Sequence, residues 1–134
     1  MNDVVVDTSA AVALLTGEPI GGPVAHALDA ADRAVMSAAT LVELGIVLEA
    51  RLGPAGTAVV ERFLRAGQIQ VIEVDREAAD TAIDGWRRFG KGRHPAGLNY
   101  GDCFVHALAT IEGTSVLCVG ADFARTDVNV VDLA

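Results

Sequence analysis

Residues 4–6 are three valines in a row, and Asp7, Thr8 and Ser9 follow at once. Consecutive β-branched residues favour extended backbone. A strand that is apolar at every position has to be covered on both faces. That requirement selects a parallel sheet packed between helices. In open sheets of this kind, ligands sit beyond the carboxyl ends of the strands. Asp7 therefore stands where such a fold does its chemistry, although Asp, Thr or Ser at this place also serves as the N-cap of a following helix.

The remaining punctuation fits the same architecture. Residues 10–15 read as a short helix ended by Gly17, and residues 24–31 as a second helix behind a Gly21-Gly22-Pro23 turn. Residues 34–36 give a short strand, and Ser37 offers an N-cap to a helix over 38–52 that Gly53-Pro54 stops. A helix over 55–66, with Val59, Val60, Phe63 and Leu64 on its apolar side, precedes a strand over 69–74. Asp75 caps an amphipathic helix over 76–89 that turns Ala79, Ile83 and Trp86 inwards. Residues 90–97 form a flexible basic loop. Asn99 caps a helix that Phe104, Val105, Leu108 and Ala109 drive into the core. Residues 115–119 read as a buried strand and 128–131 as a last, edge strand. The expectation is an α/β fold of three layers, α/β/α, around a mainly parallel sheet of about five strands. With no repeat, low-complexity tract or linker, residues 1–134 read as a single domain.

Hydrophobic residues make up 51% of the chain, and mean hydropathy is +0.39. No apolar run approaches the ~20 residues of a membrane span, so the surplus points to a core plus a surface covered by a partner. The start, Met1-Asn2-Asp3, has neither a basic segment nor a signal-type apolar stretch, and a cytoplasmic location is expected. Cys103 and Cys118 lack metal-type spacing and read as buried thiols. The net charge of −8 argues against a protein that grips duplex DNA with its whole face. It favours a basic partner or bound divalent cations. RNA stays open as a ligand, because Arg87, Arg88, Lys91 and Arg93, four of the ten Lys and Arg residues, crowd into one stretch.

Carboxylates recur at telling places. Glu43 has Ala39, Ile46 and Val47 as same-face neighbours on its helix. It therefore sits within an apolar stripe, where a carboxylate must be paired, hydrogen-bonded or metal-bound. Asp102 is the third residue of its helix, a position from which an acid also closes a capping box with Asn99. Asp122 lies just beyond the strand over 115–119, where turn residues are common, and Asp127 follows shortly after. Strand ends of a parallel sheet converge on one rim, and carboxylates gathered there repel unless cations neutralise them. Mg²⁺ and Mn²⁺ suit such oxygen donors, whereas no His and Cys spacing suggests zinc. One or two such ions activate water and stabilise in-line displacement at phosphorus. The basic loop ahead of Asp102 is placed to hold a polyanionic strand. His106, one turn beyond Asp102, lies on a core-packed helix and reads as structural.

Taken in order, four pieces resemble a PIN domain, and more narrowly the VapC toxins of bacterial type II toxin–antitoxin pairs. They are Asp7-Thr8-Ser9 after a valine strand, Glu43 on a helix after Ser37-Ala38, Leu98-Asn99-Tyr100-Gly101-Asp102-Cys103 opening a helix, and Gly120-Ala121-Asp122-Phe123-Ala124-Arg125-Thr126-Asp127 near the end. The resemblance spans essentially the whole chain. It implies a Mg²⁺- or Mn²⁺-dependent endoribonuclease that cuts single-stranded or looped RNA. It also implies a homodimer and a cognate VapB-type antitoxin whose C-terminal segment blocks the acidic groove. DNA is then met only through the antitoxin, and no membrane is involved. The family's acidic metal site maps onto Asp7, Glu43, Asp102 and Asp122, with Thr8, Ser9, Asn99 and Asp127 in support. Arg87, Arg88, Lys91 and Arg93 are the matching candidates for holding RNA. The chain departs from many relatives at Ala121, where they carry a second polar residue. That leaves Asp122 and Asp127 as alternatives for the last site position, with Asp122 preferred.

Two other classes compete. A phospho-receiver or phosphotransfer domain shares the parallel sheet and the acids, but it needs a lysine near the pocket, and the only lysine here is Lys91 in the basic loop. A PIN-like module that binds RNA or a partner without cutting usually shows Asn or Ala at one of the acids, and all four are present.

Overall fold

The structure, a computed structural model, describes residues 2–134. Four strands, β1 (Asp3–Val6), β2 (Arg33–Ser37), β3 (Ile69–Ile72) and β4 (Ser115–Leu117), form one sheet in the order β3-β2-β1-β4. Every pairing is parallel. Among the described residues six α-helices accompany them: α1 (Thr8–Leu15), α2 (Gly21–Ala30), α3 (Ala38–Leu52), α4 (Gly56–Ala66), α5 (Arg76–Phe89) and α6 (Tyr100–Glu112).

Alternation along the central strands divides the core into two layers. Val4, Val6, Ala34, Met36 and Leu117 face one side, against Ala10 and Ala11 of α1, Val24 of α2, Leu44 and Leu48 of α3, and Val60 and Phe63 of α4. Val5, Val35 and Val116 face the other, against Ala82 of α5 and Cys103, Val105 and Leu108 of α6. The three-layer α/β/α expectation holds. The fifth strand does not form: residues 128–131 contribute one isolated bridge, Val116 to Val130, secured by Val116 N–H to the Asn129 carbonyl at 2.8 Å and Val131 N–H to the Val116 carbonyl at 2.9 Å.

Caps set several boundaries. Ser37 caps α3, Asp75 caps α5, and Asn99 closes a capping box with Asp102 at the start of α6. Other expectations shift. α2 begins at Gly21, so the Gly21-Gly22-Pro23 stretch is its first turn and not a preceding loop. Proline is tolerated there because its missing N–H has no intrahelical partner. A Cβ on Gly21 would lie 2.8 Å from the Ala13 carbonyl oxygen, so glycine is what lets α2 start this close to α1.

On α5 the buried residues are Ala82 and Gly85, whereas Ile83 and Trp86 stay 49% and 43% exposed. The basic loop is also more ordered than expected. Lys91 N–H bonds to the Leu98 carbonyl at 2.9 Å, Leu98 N–H bonds to the Phe89 carbonyl at 3.0 Å, and Ala96 and Leu98 are buried. Among the described residues, no helix is long and apolar enough to cross a membrane.

Candidate active site

From β1 the chain first builds β2 and β3 on one side of the sheet, then returns to place β4 on the other side of β1. The carboxyl ends of β1 and β4 thus flank the point where strand order reverses, the customary ligand crevice of an open α/β sheet. Asp7 follows β1 directly, and its N–H bonds to the Leu117 carbonyl at 3.0 Å. It is both the N-cap of α1 and a buried carboxylate, so the two readings of this residue are compatible.

Ser9 holds Asp7 in place. Its N–H and its hydroxyl both donate to Asp7 Oδ2, at 3.0 and 2.5 Å. The same hydroxyl oxygen accepts the Val119 N–H at 2.9 Å, tying the acid to the turn after β4. Thr8 donates its hydroxyl to Glu43 Oε1 at 2.5 Å, so the second acid is steered from the helix that the first one caps. On α3 the buried line is Thr40, Leu44 and Leu48. Glu43 lies beside that line and not within it, because Val42 and Ile46 are 62% and 64% exposed.

Asp102 enters from the opposite layer. Its Oδ2 accepts the Asn99 N–H at 3.0 Å, while Asn99 Oδ1 accepts the Asp102 N–H at 2.9 Å. One turn of helix thereby presents the carboxylate to the crevice with its orientation set. Gly101 next to it makes the approach to Glu43 possible: a Cβ there would stand 2.7 Å from Glu43 Oε2. Inspection of the sequence passed over Gly101 as a site residue. Its signal was a glycine, with its helix cost of about 1 kcal/mol, in the first turn beside a candidate acid. Asp122 sits on the exposed turn after β4.

The electrostatics join these groups. Burial raises the Asp7 pKa, and the negative charge of Glu43 adds to the rise against the hydrogen bonds of Ser9. Asp102 is raised to about 6, first by burial and then by Asp7, Asp122 and Glu43, with the Asn99 N–H opposing. The same acids reach Cys118, whose thiol burial, Asp7, Asp102 and Asp122 push up to about 12. Among the described residues, none of Asp7, Glu43, Asp102 or Asp122 forms an ion pair with a basic side chain. Asp7 and Asp102 are thus raised by burial and by neighbouring carboxylates, with no basic side chain paired to the set among the described residues. Among the described residues, no group of three or more His, Cys, Asp and Glu side chains is arranged to hold a metal ion as it stands.

Asp127 is placed differently. Its oxygens meet His106 Nε2 at 2.8 Å and Arg88 Nη1 at 2.9 Å. Burial works to raise its pKa, but the bonds with His106 and Arg88 outweigh it and hold the carboxyl below its usual range. The basic candidates also separate. Arg88 is committed to Asp84 and Asp127, and Arg93 lies over the Trp86 ring at 4.7 Å with its Nε bonded to the Arg87 carbonyl. Lys91 borders an open groove of about 630 Å³ between α5 and α6, with Trp86, Asn99, Tyr100 and Phe104 among its lining residues.

The chain is similar to known proteins over nearly its whole length. The PIN-domain family matches residues 4–129. Ribonuclease VapC30 of Mycobacterium tuberculosis is 42% identical over 129 residues, covering 96% of this chain and 98% of its own. Ribonuclease VapC of Mycolicibacterium smegmatis is 43% identical over 127 residues, 95% of this chain and 98% of its own. Among solved structures, DNA-bound VapBC from Salmonella typhimurium matches with a TM-score of 0.81 over 100% of both chains at 22% identity. M. tuberculosis VapC20, a sarcin–ricin loop cleaving toxin, matches with 0.77 over 96% of this chain and 98% of that one at 20% identity. The chain belongs to the PIN-domain family, among its VapC ribonucleases.

Proposed function

We propose that this protein is an endoribonuclease, the toxin of a type II toxin–antitoxin pair, which cuts single-stranded or looped RNA with a divalent ion and is restrained by a cognate VapB-type antitoxin. The observation that carries this reading is the group of four carboxylates at the sheet's switch point with no basic partner among the described residues. Such a donor set suits Mg²⁺ or Mn²⁺, which prefer oxygen ligands. Asp7, Glu43 and Asp102 would hold the ion, with Asp122 helping or holding a second one. Water would complete the set, since Mg²⁺ keeps several waters and the carboxylates are not convergent as they stand among the described residues. When bound, the ion neutralises the cluster and stabilises in-line displacement at phosphorus.

The chain's own residues do the positioning. Ser9 fixes Asp7, Thr8 fixes Glu43 and the Asn99 cap fixes Asp102. Arg87, Lys91 and Arg93 are the candidates for phosphate contacts, while Arg88 is engaged elsewhere. The exposed apolar residues of α3 and of the α5–α6 groove suit a second copy of the chain and an apolar antitoxin segment. A basic side chain of that segment would enter the acidic pocket. DNA is met only through the antitoxin, and residues 1–134 work as one domain in the cytoplasm.

The test is cleavage of structured and single-stranded RNAs in Mg²⁺, Mn²⁺ and EDTA, alongside an Asp7→Asn, Asp102→Asn variant. Cutting that needs the ion and falls at least about a hundredfold in the variant is expected, since even the partners of metal ligands are worth 10–100-fold. RNA binding without cleavage in either ion would favour a non-catalytic module. Cleavage that persists in the folded variant would remove these acids from the mechanism.

A further inference from the structure

Asp127 stands outside the unpaired acid cluster, yet it bonds two other side chains, those of His106 and Arg88. The reason lies in His106, the most unusual buried residue of the chain. Its ring has no solvent exposure. Nε2 meets Asp127 Oδ1 at 2.8 Å, while Nδ1 is buried with no hydrogen-bond partner. Nδ1 faces Gly85, where a Cβ would stand only 2.9 Å from it. With no acceptor at Nδ1, this geometry assigns the ring proton to Nε2, which donates it to Asp127. Burying an imidazole with one nitrogen unsatisfied is unfavourable. An apolar side chain would fill the same space without that loss, so the favourable contribution of His106 is its hold on Asp127.

That hold bears on the site through two short stretches of chain. His106 is one turn along α6 from Asp102. Asp127 closes the turn over 122–127 that Asp122 begins. The turn is bonded within itself: Arg125 N–H bonds to the Asp122 carbonyl at 3.3 Å, the Thr126 hydroxyl bonds to the Phe123 carbonyl at 2.7 Å, and Phe123 is buried. Arg88 of α5 grips the second oxygen of Asp127 at 2.9 Å and is itself held by Asp84 at 3.2 Å. We propose that His106 and Asp127 are positioning residues of the nuclease site, clamping the turn over 122–127 onto α6 so that Asp122 keeps its place relative to Asp102. The proposal rests on reading the carboxylate cluster as the ion site.

Wild type, His106→Gln, His106→Leu and Asp127→Ala are to be compared by calorimetric titration with Mn²⁺ in the absence of RNA, amide exchange of the metal-free proteins, thermal unfolding and RNA cleavage. Gln keeps an N–H donor near the position of Nε2, and Leu removes it. The expected result is a folded His106→Leu protein with faster exchange over residues 122–127. It should bind Mn²⁺ about tenfold more weakly and cleave about tenfold more slowly, the lower end of the range for residues behind metal ligands, with KM for RNA little changed. His106→Gln should recover most of both. Asp127 is half exposed, so Asp127→Ala should fold and repeat the Leu result even if His106→Leu does not fold. Mn²⁺ affinity and exchange equal to wild type in every folded variant would overturn the proposal. Wild type that binds Mn²⁺ but cuts no RNA would overturn the nuclease reading instead, and the Mn²⁺ comparison between variants would still decide the role of the clamp.

Discussion

Asp102 is the residue on which the site's energetics converge. Its pKa of about 6 arises from burial and from three neighbouring negative charges. Because this value lies above the ordinary 3.8, the fold favours the protonated acid. In the metal-free protein the corresponding stability is present below about pH 4 and is lost as pH rises through 6. A divalent ion reverses the balance by requiring the charged form, so binding releases a proton below pH 6. Mn²⁺ affinity measured by calorimetry should therefore weaken about fivefold from pH 6 to pH 5 in addition to any change from the other acids, and Asp102→Asn should flatten that dependence. Asp7→Asn isolates a different property of the same cluster. Asparagine caps helices as well as aspartate does and removes a buried charge that Glu43 opposes. Cleavage should disappear while the thermal midpoint of the metal-free protein stays level or rises; a midpoint several degrees lower would mean that Asp7 is chiefly a structural cap.

Helix starts are the elements that carry this site, and they were the most legible part of the chain. Ser37, Asp75 and Asn99 marked the beginnings of α3, α5 and α6, because a capping side chain acts on the adjacent backbone and its effect is local. The acids at those starts and strand ends were legible for the same reason. Misread features depended on distant packing. Whether residues 128–131 form a full strand is decided by the edge they meet, and there they make a single bridge. Ile83 and Trp86 follow a clean helical period, which shows that a face is apolar but not what covers it. Asp127 could not be separated from Asp122 by spacing, since its partners His106 and Arg88 are 21 and 39 residues away. Gly101 gives the element-scale prediction. Alanine is the better helix former by about 1 kcal/mol, but its Cβ would press on Glu43. Gly101→Ala should leave the denaturation midpoint level or higher and lower kcat/KM for RNA about tenfold. Unchanged kcat/KM would show that Glu43 has room to move.

Over the whole molecule, an acidic chain with a net charge of −8 leaves an unpaired negative cluster in a crevice beside exposed apolar residues on α3 and along α5 and α6. A partner with an apolar face and a projecting basic group matches both. Replacing the basic residues of the antitoxin's C-terminal segment should weaken the complex and reduce its sensitivity to salt; a complex of unchanged affinity would count against charge as the inhibitor's handle. The two cysteines add a different property. Cys103 and Cys118 are buried and free. Burial and Asp102 raise the Cys103 thiol, and at pH 7 to 8 the Cys118 thiol, pushed up to about 12, holds almost no thiolate, the form that reacts with alkylating reagents. Modification must then wait for the protein to open, so alkylation serves as a built-in clock for opening events. Any ion that binds only the closed molecule should slow that clock by mass action. Slower alkylation of the two thiols in Mn²⁺ than in EDTA would then report occupancy of the acidic crevice with no RNA present.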